Sequence, residues 1–237
     1  MEAQGDKSAS TGCNSALTAE SLIQLFSPPV SPARIDTSLT PDARRALWAG
    51  DSVHRARNLA QLAAALVHMR ARLPDASYLE DMAANAHALA AAYAELAEEQ
   101  APGAKMPCAD LLKRVVTGLV QLFGNGERPV RLRCSVAELW LTSEQRRALV
   151  LIASELVVNA LKYAFPETGG NLAVRLIFDG PYAELIVEDD GVGLGPAAKP
   201  GNGSRILDEL AMLLSAPIER ADRPEGGLRA VVRLPLG

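Results

Sequence analysis

The feature that most constrains this chain is a change in apolar period near residue 104. Upstream of it, Leu59, Leu62, Leu66, Met69 and Leu73 recur at alternating steps of three and four. After Pro74-Asp75 the same spacing returns at Leu79, Met82, Ala86, Leu89, Tyr93 and Leu96. Seams of this kind belong to packed helices. Thr40-Pro41 supplies an N-cap followed by proline at the first helical position, which starts the first helix. Two such helices joined by a short turn predict an antiparallel helical hairpin over residues 41–103. A lone hairpin leaves much apolar surface wet, so pairing of two chains into a four-helix bundle is expected.

Ala101-Pro-Gly-Ala104 marks the expected boundary, and from 104 to 237 helical and alternating patterns interleave. Residues Ala109–Phe123 and Ser143–Phe165 read as helices, the latter with Ser143 as N-cap, and Gly203–Leu214 as a third. Val130–Cys134, Leu172–Phe178, Ala183–Glu188 and Leu228–Leu234 read as strands, the middle pair joined at Asp179-Gly180, a hairpin dipeptide. The expected class is α+β, a hairpin followed by an α/β sandwich with helices on one sheet face. Residues 1–40, rich in Ser, Thr and Pro, form a leader that is flexible or loosely docked. Only a short helix over Thr18–Phe26 is expected within it.

Composition narrows the function classes. Hydrophobic residues make up 49% and charged residues 22%, enough for a core, while the 4% aromatic content leaves that core to aliphatic side chains. A net charge of −4 offers no general attraction to nucleic acid or anionic membrane. Cys13, Cys108 and Cys134 are too scattered for a zinc pattern or a disulfide framework. With no secretory signal pattern and no apolar run long enough to span a bilayer, a cytoplasmic protein without membrane insertion is expected.

Three segments carry candidate chemistry. In Ser154-Glu155-Leu-Val-Val-Asn159-Ala-Leu-Lys162, the spacing puts a carboxylate, an amide oxygen and an ammonium along one helix face. These groups can position water, hold Mg²⁺ through oxygen and meet phosphate. A solvated polar face is the plainer reading. Glu188-Asp189-Asp190-Gly191-Val192-Gly193 follows a strand. Its glycines admit a ligand close to the backbone, and Asp189 can accept from an exocyclic amine. An acidic turn after an edge strand would look the same. Gly201-Asn202-Gly203 opens a helix whose N-terminal amides suit an anion, or is simply a glycine-rich linker.

In that order and spacing, the three segments resemble the GHKL ATP-binding fold of sensor histidine kinases, gyrase-type ATPases, Hsp90 chaperones and MutL, over residues 108–237. The resemblance implies ATP and Mg²⁺ as cofactors. Asn159 would bind the metal, Asp189 would recognise adenine, and Gly191, Gly193, Gly201 and Gly203 would shape pocket and lid. Glu155 would orient water or the reacting phosphate, with Lys162 at phosphate. Upstream, His54-Arg55-Ala-Arg57-Asn58 is similar to the H-R-x-K-N signature of HWE-type and related sensor histidine kinases, with Arg57 in place of Lys. The Trp-x-Glu motif that names the HWE group is absent, the corresponding stretch being Val187-Glu188-Asp189, so the related group is the nearer match. The lid is short, with seven residues, Leu194–Pro200, between the glycine boxes and no clear phenylalanine box.

The resemblance makes His54 the expected phosphoacceptor and the hairpin a dimerisation and phosphotransfer domain. A neutral imidazole nitrogen must attack the γ-phosphorus in line while a partner orients the other nitrogen. Asp51, three residues earlier, is the nearest candidate for that orienting role. Asn58, one turn later, corresponds to residues that position water when a kinase dephosphorylates its partner. The expected activity is autophosphorylation of a homodimer, followed by transfer to an aspartate of a response-regulator receiver domain. The alternative is a histidine phosphotransferase or scaffold of the same fold that does not use ATP. A serine kinase of the anti-sigma type is a further competitor, disfavoured because it needs no phosphotransfer hairpin.

Overall fold

The computed structural model describes residues 76–97, 103–123, 129–166, 169–194, 207–208, 210–212 and 214–236. His54, Asp51, Asn58, Gly201, Gly203, the leader and the first seam therefore lie outside the described residues.

Helix α1 (Ala76–Ala97) is followed by β1 (Lys105–Pro107), α2 (Ala109–Phe123), β2 (Val130–Val136) and β3 (Trp140–Thr142). Then come α3 (Ser143–Tyr163), β4 (Gly170–Asp179), β5 (Tyr182–Asp189), β6 (Ile218–Asp222) and β7 (Leu228–Pro235). The main sheet has five strands in the order β2-β4-β5-β7-β6. Only β2 and β4 run parallel, joined by a crossover that contains β3 and α3, and the remaining pairs are antiparallel. β1 and β3 form a separate two-stranded ribbon.

Alternation in the strands decides which face meets the helices. Leu172, Val174 and Leu176 of β4 pair with Asp189, Val187 and Leu185 of β5, and this row is buried. Helices α2 and α3 supply Leu112, Val115, Leu119, Leu149, Ile152 and Val157 to the same core. On the opposite face Arg175 and Arg229 flank Glu188, and Arg233 donates to Glu184 at 2.6 Å. A charged ladder of this kind lets an antiparallel sheet keep one face toward water.

Local chemistry fixes the ends of the elements. Thr142, rather than Ser143, is the N-cap of α3. The Gln145 amide donates to Thr142 Oγ1 at 3.3 Å and the Thr142 amide donates to Gln145 Oε1 at 3.1 Å, a complete capping box. The hydroxyl one position earlier wins because it alone closes this reciprocal pair. The start of α2 is held by Glu138, whose Oε1 accepts from the Cys108 and Ala109 amides. Burial pushes the Cys108 thiol up to about 12, which leaves no thiolate for chemistry there. The Asp179-Gly180 turn closes the β4–β5 hairpin with Gly180 at φ +56°.

The second apolar seam is buried in an unexpected place. Met82, Ala86, Leu89, Tyr93 and Leu96 of α1 enter the same core as α2 and α3. Gly118 of α2 eases the approach: a Cβ there would stand 3.2 Å from Leu89 Cδ1, and Leu89 would have to give slightly. Helix α1, upstream of the Ala101–Ala104 stretch, thus shares its core with elements downstream of it. Heptad spacing says that a face is buried, and it does not say against which partner.

Candidate nucleotide site

The site is built where the C-terminal part of α3 lies over the end of β5. Glu155 and Asn159 are one turn apart on α3, with Glu155 buried and Asn159 half-buried. Lys162 follows on the last turn, also half-buried, and Tyr163 beside it is exposed. A polar pair this deep in a helix whose neighbours are Leu, Val and Ala is not a solvated surface stripe.

Asp189 closes β5 and is 4% exposed. Its Oδ1 accepts two backbone hydrogen bonds, from the Gly191 amide at 3.0 Å and the Leu228 amide at 3.2 Å. Burial pushes its carboxyl above the ordinary value, against the pull of those two amides, and the neighbouring Asp190 adds to the rise. The carboxyl is therefore fixed in direction by the backbone, in a site whose burial disfavours its charged form.

The loop after Asp189 is fitted against its surroundings at each glycine. A Cβ on Gly191 would overlap the carbonyl of Ala164 at the end of α3, and the Val192 amide donates to that same carbonyl at 3.0 Å. Gly193, at φ +73°, would place a Cβ 2.7 Å from Asp222 Oδ1, the atom that accepts from the Leu194 amide. Both glycines are required where they stand, one for close approach and one for a left-handed backbone.

Asp190 faces the other way. Asn171 donates to both of its oxygens, each at 2.6 Å, and these bonds outweigh burial and hold its carboxyl below the ordinary value. Beside it a cleft of about 390 Å³ is lined by Ala164, Phe165, Pro166, Gly169, Asp190, Gly191 and Val192. That cleft adjoins the Asp-x-Gly loop and is not lined by Asp189, Asn159 or Glu155. Asp189, at the end of β5, and the polar pair on α3 lie outside that lining.

Several contributors were not singled out from the sequence. Arg223 donates to the Asp189 carbonyl at 2.7 Å, and a Cβ on Gly227 would overlap that carbonyl. Gly226 and Gly227 both take positive φ in the β6–β7 turn, and Asp222 latches the loop at Leu194. The available signal was Glu225-Gly226-Gly227 directly before an alternating strand. Its relevance depends on β7 lying beside β5, which spacing alone does not reveal.

The described groups suit a nucleotide carrying Mg²⁺. No cluster of three or more His, Cys, Asp or Glu that could hold a metal occurs among the described residues. Mg²⁺ in nucleotide sites usually takes one or two protein oxygens, with phosphate and water completing the shell. An Asn159 oxygen beside the Glu155 carboxylate matches that donor set.

Residues 144–237 match the family model described as histidine kinase-, DNA gyrase B-, and HSP90-like ATPase. Over this segment the chain is similar to GHKL-type ATPases. The sensor histidine kinase PdtaS of Mycobacterium tuberculosis (strain CDC 1551 / Oshkosh) is 29% identical over 119 residues, 47% of this chain and 24% of that protein. A NarQ homolog, a sensor protein of Haemophilus influenzae, is 29% identical over 108 residues, 45% of this chain and 19% of its own length. The match thus spans about a quarter or less of these relatives. Among solved structures, the histidine kinase domain of the blue-light activated histidine kinase from Erythrobacter litoralis EL346 shares the fold. Its TM-score is 0.56 at 21% identity, over 74% of this chain and 95% of that one. No helix among the described residues is long and apolar enough to cross a membrane.

Proposed function

We propose that the chain is a two-component histidine kinase of the group related to the HWE kinases, transferring the γ-phosphoryl of ATP to His54 and then to a response-regulator aspartate. The observation that carries the reading is Asp189: a buried carboxylate locked by two backbone amides beneath the helix that bears Glu155 and Asn159. A carboxylate so fixed, with Oδ1 engaged, suits a ligand amine at Oδ2, which is how adenine would be told from guanine. The ATPase-domain match over 144–237 supports the same assignment.

In this reading Asn159 holds Mg²⁺, which when bound neutralises phosphate charge. Glu155 orients the reacting groups and Lys162 meets phosphate. Gly191 and Gly193 bring backbone close to the nucleotide, and Gly201 and Gly203 belong to the lid. The His54 imidazole attacks γ-phosphorus, the bond from phosphorus to the ADP oxygen breaks, and ADP leaves. Asp51 orients the second imidazole nitrogen, and Asn58 positions water for partner dephosphorylation. The active form is a homodimer; because α1 already buries its apolar seam against α2 and α3, the dimer bundle draws on the first seam, Leu59 to Leu73.

The test is incubation with labelled Mg-ATP of wild type, His54→Ala and Asn159→Ala. Acid-labile label on wild type, lost from both variants, is the expected result. No label and no nucleotide binding would overturn it in favour of a phosphotransferase that does not use ATP. Acid-stable label would move the acceptor to a hydroxyl.

A further inference from the structure

Helix α1 is fastened to the ATPase domain by more than its apolar seam. Near its C-terminal end, Glu95 receives Arg146 of α3 on one carboxylate oxygen and Arg114 of α2 on the other. Arg114 is itself steadied by Asp110 at 3.0 Å, and Arg147 of α3 donates to the Leu96 carbonyl at 2.8 Å. The Arg146 side chain is 6% exposed, and its Nε has no hydrogen-bond partner among the described residues. Its other neighbour is soft: Nη1 lies 3.7 Å from Met106 Sδ.

We propose that Glu95 is a positioning residue for α3, setting where that helix presents Glu155 and Asn159. The proposal rests on the nucleotide reading of that helix given above. Arg146 stands in the first turn of α3, and Glu155 and Asn159 follow nine and thirteen residues later on the same uninterrupted helix. At 1.5 Å per residue these lie roughly 14 and 20 Å along one rod. A grip on the first turn therefore fixes the axial position and rotation of the polar pair, because an unbroken helix moves as a unit.

The grip is electrostatic, and its energetics are one-sided. A buried guanidinium stays in place only while an anion and acceptors satisfy it. Without the Glu95 charge, Arg146 faces a sulfur and an already unpartnered Nε. The first turn of α3 then has to shift until the guanidinium reaches water. Arg114 and Arg146 come from α2 and α3, so α1, α2 and α3 are all registered at one carboxylate. Whatever displaces α1 is felt by the polar pair through this point.

The experiment uses the full chain as wild type, Glu95→Gln, Glu95→Asp and Val232→Ala. Val232 is fully buried on β7, outside the ion-pair cluster at Glu95, and serves as a control for general destabilisation. The readouts are Mg-ATP affinity, melting temperature and amide hydrogen exchange over residues 150–159. Glu95→Gln is expected to weaken ATP roughly tenfold, an ordinary coupling magnitude, and to speed exchange in that stretch. Glu95→Asp should recover most of both, since the charge is kept. Val232→Ala should lose melting temperature with ATP affinity within twofold of wild type. Equal affinity and equal exchange in Glu95→Gln and Val232→Ala at matched melting temperature would overturn the proposal. If wild type binds no ATP while exchange over 150–159 still responds to Glu95 alone, the nucleotide reading fails and the positioning of α3 stands.

Discussion

Replacing Asp189 by Asn separates recognition from stability at a single atom. The two structural bonds to Asp189 both end on Oδ1, from Gly191 at 3.0 Å and Leu228 at 3.2 Å, and an Asn keeps that acceptor. The change falls on the other side of the group, where a carboxylate oxygen becomes an NH₂ donor. An adenine amino group there loses a charge-assisted acceptor and meets a donor instead. The lost bond is worth about 1.5–3 kcal/mol and an unpaired donor adds a further cost. A total near 3 kcal/mol corresponds to roughly 10²-fold weaker ATP binding. Stability moves the other way. Burial raises the Asp189 pKa above its unfolded value, so the charged form costs stability at pH above the folded pKa. At neutral pH the variant should therefore melt at the same or a higher temperature than wild type. Below the unfolded value of 3.8, wild type carries a neutral acid in both states and the difference should close. Calorimetric titration with ATP and GTP, alongside melting curves from pH 3 to 8, reads both effects. ATP affinity within threefold of wild type would refute adenine recognition at this carboxylate. A melting temperature that falls at neutral pH would show that the charge itself is structural.

Gly191→Ala should cost several kcal/mol or prevent folding, because its Cβ overlaps the Ala164 carbonyl, backbone that cannot yield. Gly118→Ala should be nearly neutral. Its Cβ meets only the Leu89 side chain at 3.2 Å, and a helical Ala gains about 1 kcal/mol over Gly; denaturant midpoints of the two variants make the comparison. Thr142→Ala should lose about 1 kcal/mol by removing the capping box, with Thr142→Ser restoring most of it in the same assay. Glu95 is held below its ordinary value: burial pushes it up, but the Arg114 and Arg146 hydrogen bonds prevail. Its contribution is therefore complete above the unfolded value of 4.5 and is lost as pH falls through the lower folded pKa. Melting curves of Glu95→Gln should be flatter than those of wild type across that acid window.

Much of the domain was legible because its signals are local. An Asp-Gly turn and period-two alternation each act within a few residues, although the Thr142-x-x-Gln145 box caps α3 one position before the expected Ser143. So α2, α3, β4, β5 and β7 appear within a few residues of their expected places. Helix α3 could be read for its polar pair because Glu155 and Asn159 sit one turn apart on any α-helix. Asp189 could be read because glycines at 191 and 193 admit close approach of a ligand wherever the strand before them lies.

Other features depended on which elements meet. The sequence shows that α1 has an apolar face, but Met82, Leu89 and Tyr93 would satisfy a partner helix or a neighbouring domain equally well. Hydrophobic burial has no direction, so only packing against α2 and α3 decides the matter. The ribbon of β1 and β3, the edge strand β6 and the parallel pairing of β2 with β4 are too short or too non-local to leave a period. The Glu95 grip on Arg114 and Arg146 joins residues 19 and 51 positions apart, and Leu228 reaches Asp189 across 39. Sequence by itself determined the residue types that can bind, cap and turn. Tertiary structure decided which carboxylates are buried, which of their atoms are already engaged, and which helix holds them in place, because desolvation and ion pairing exist only once distant segments touch.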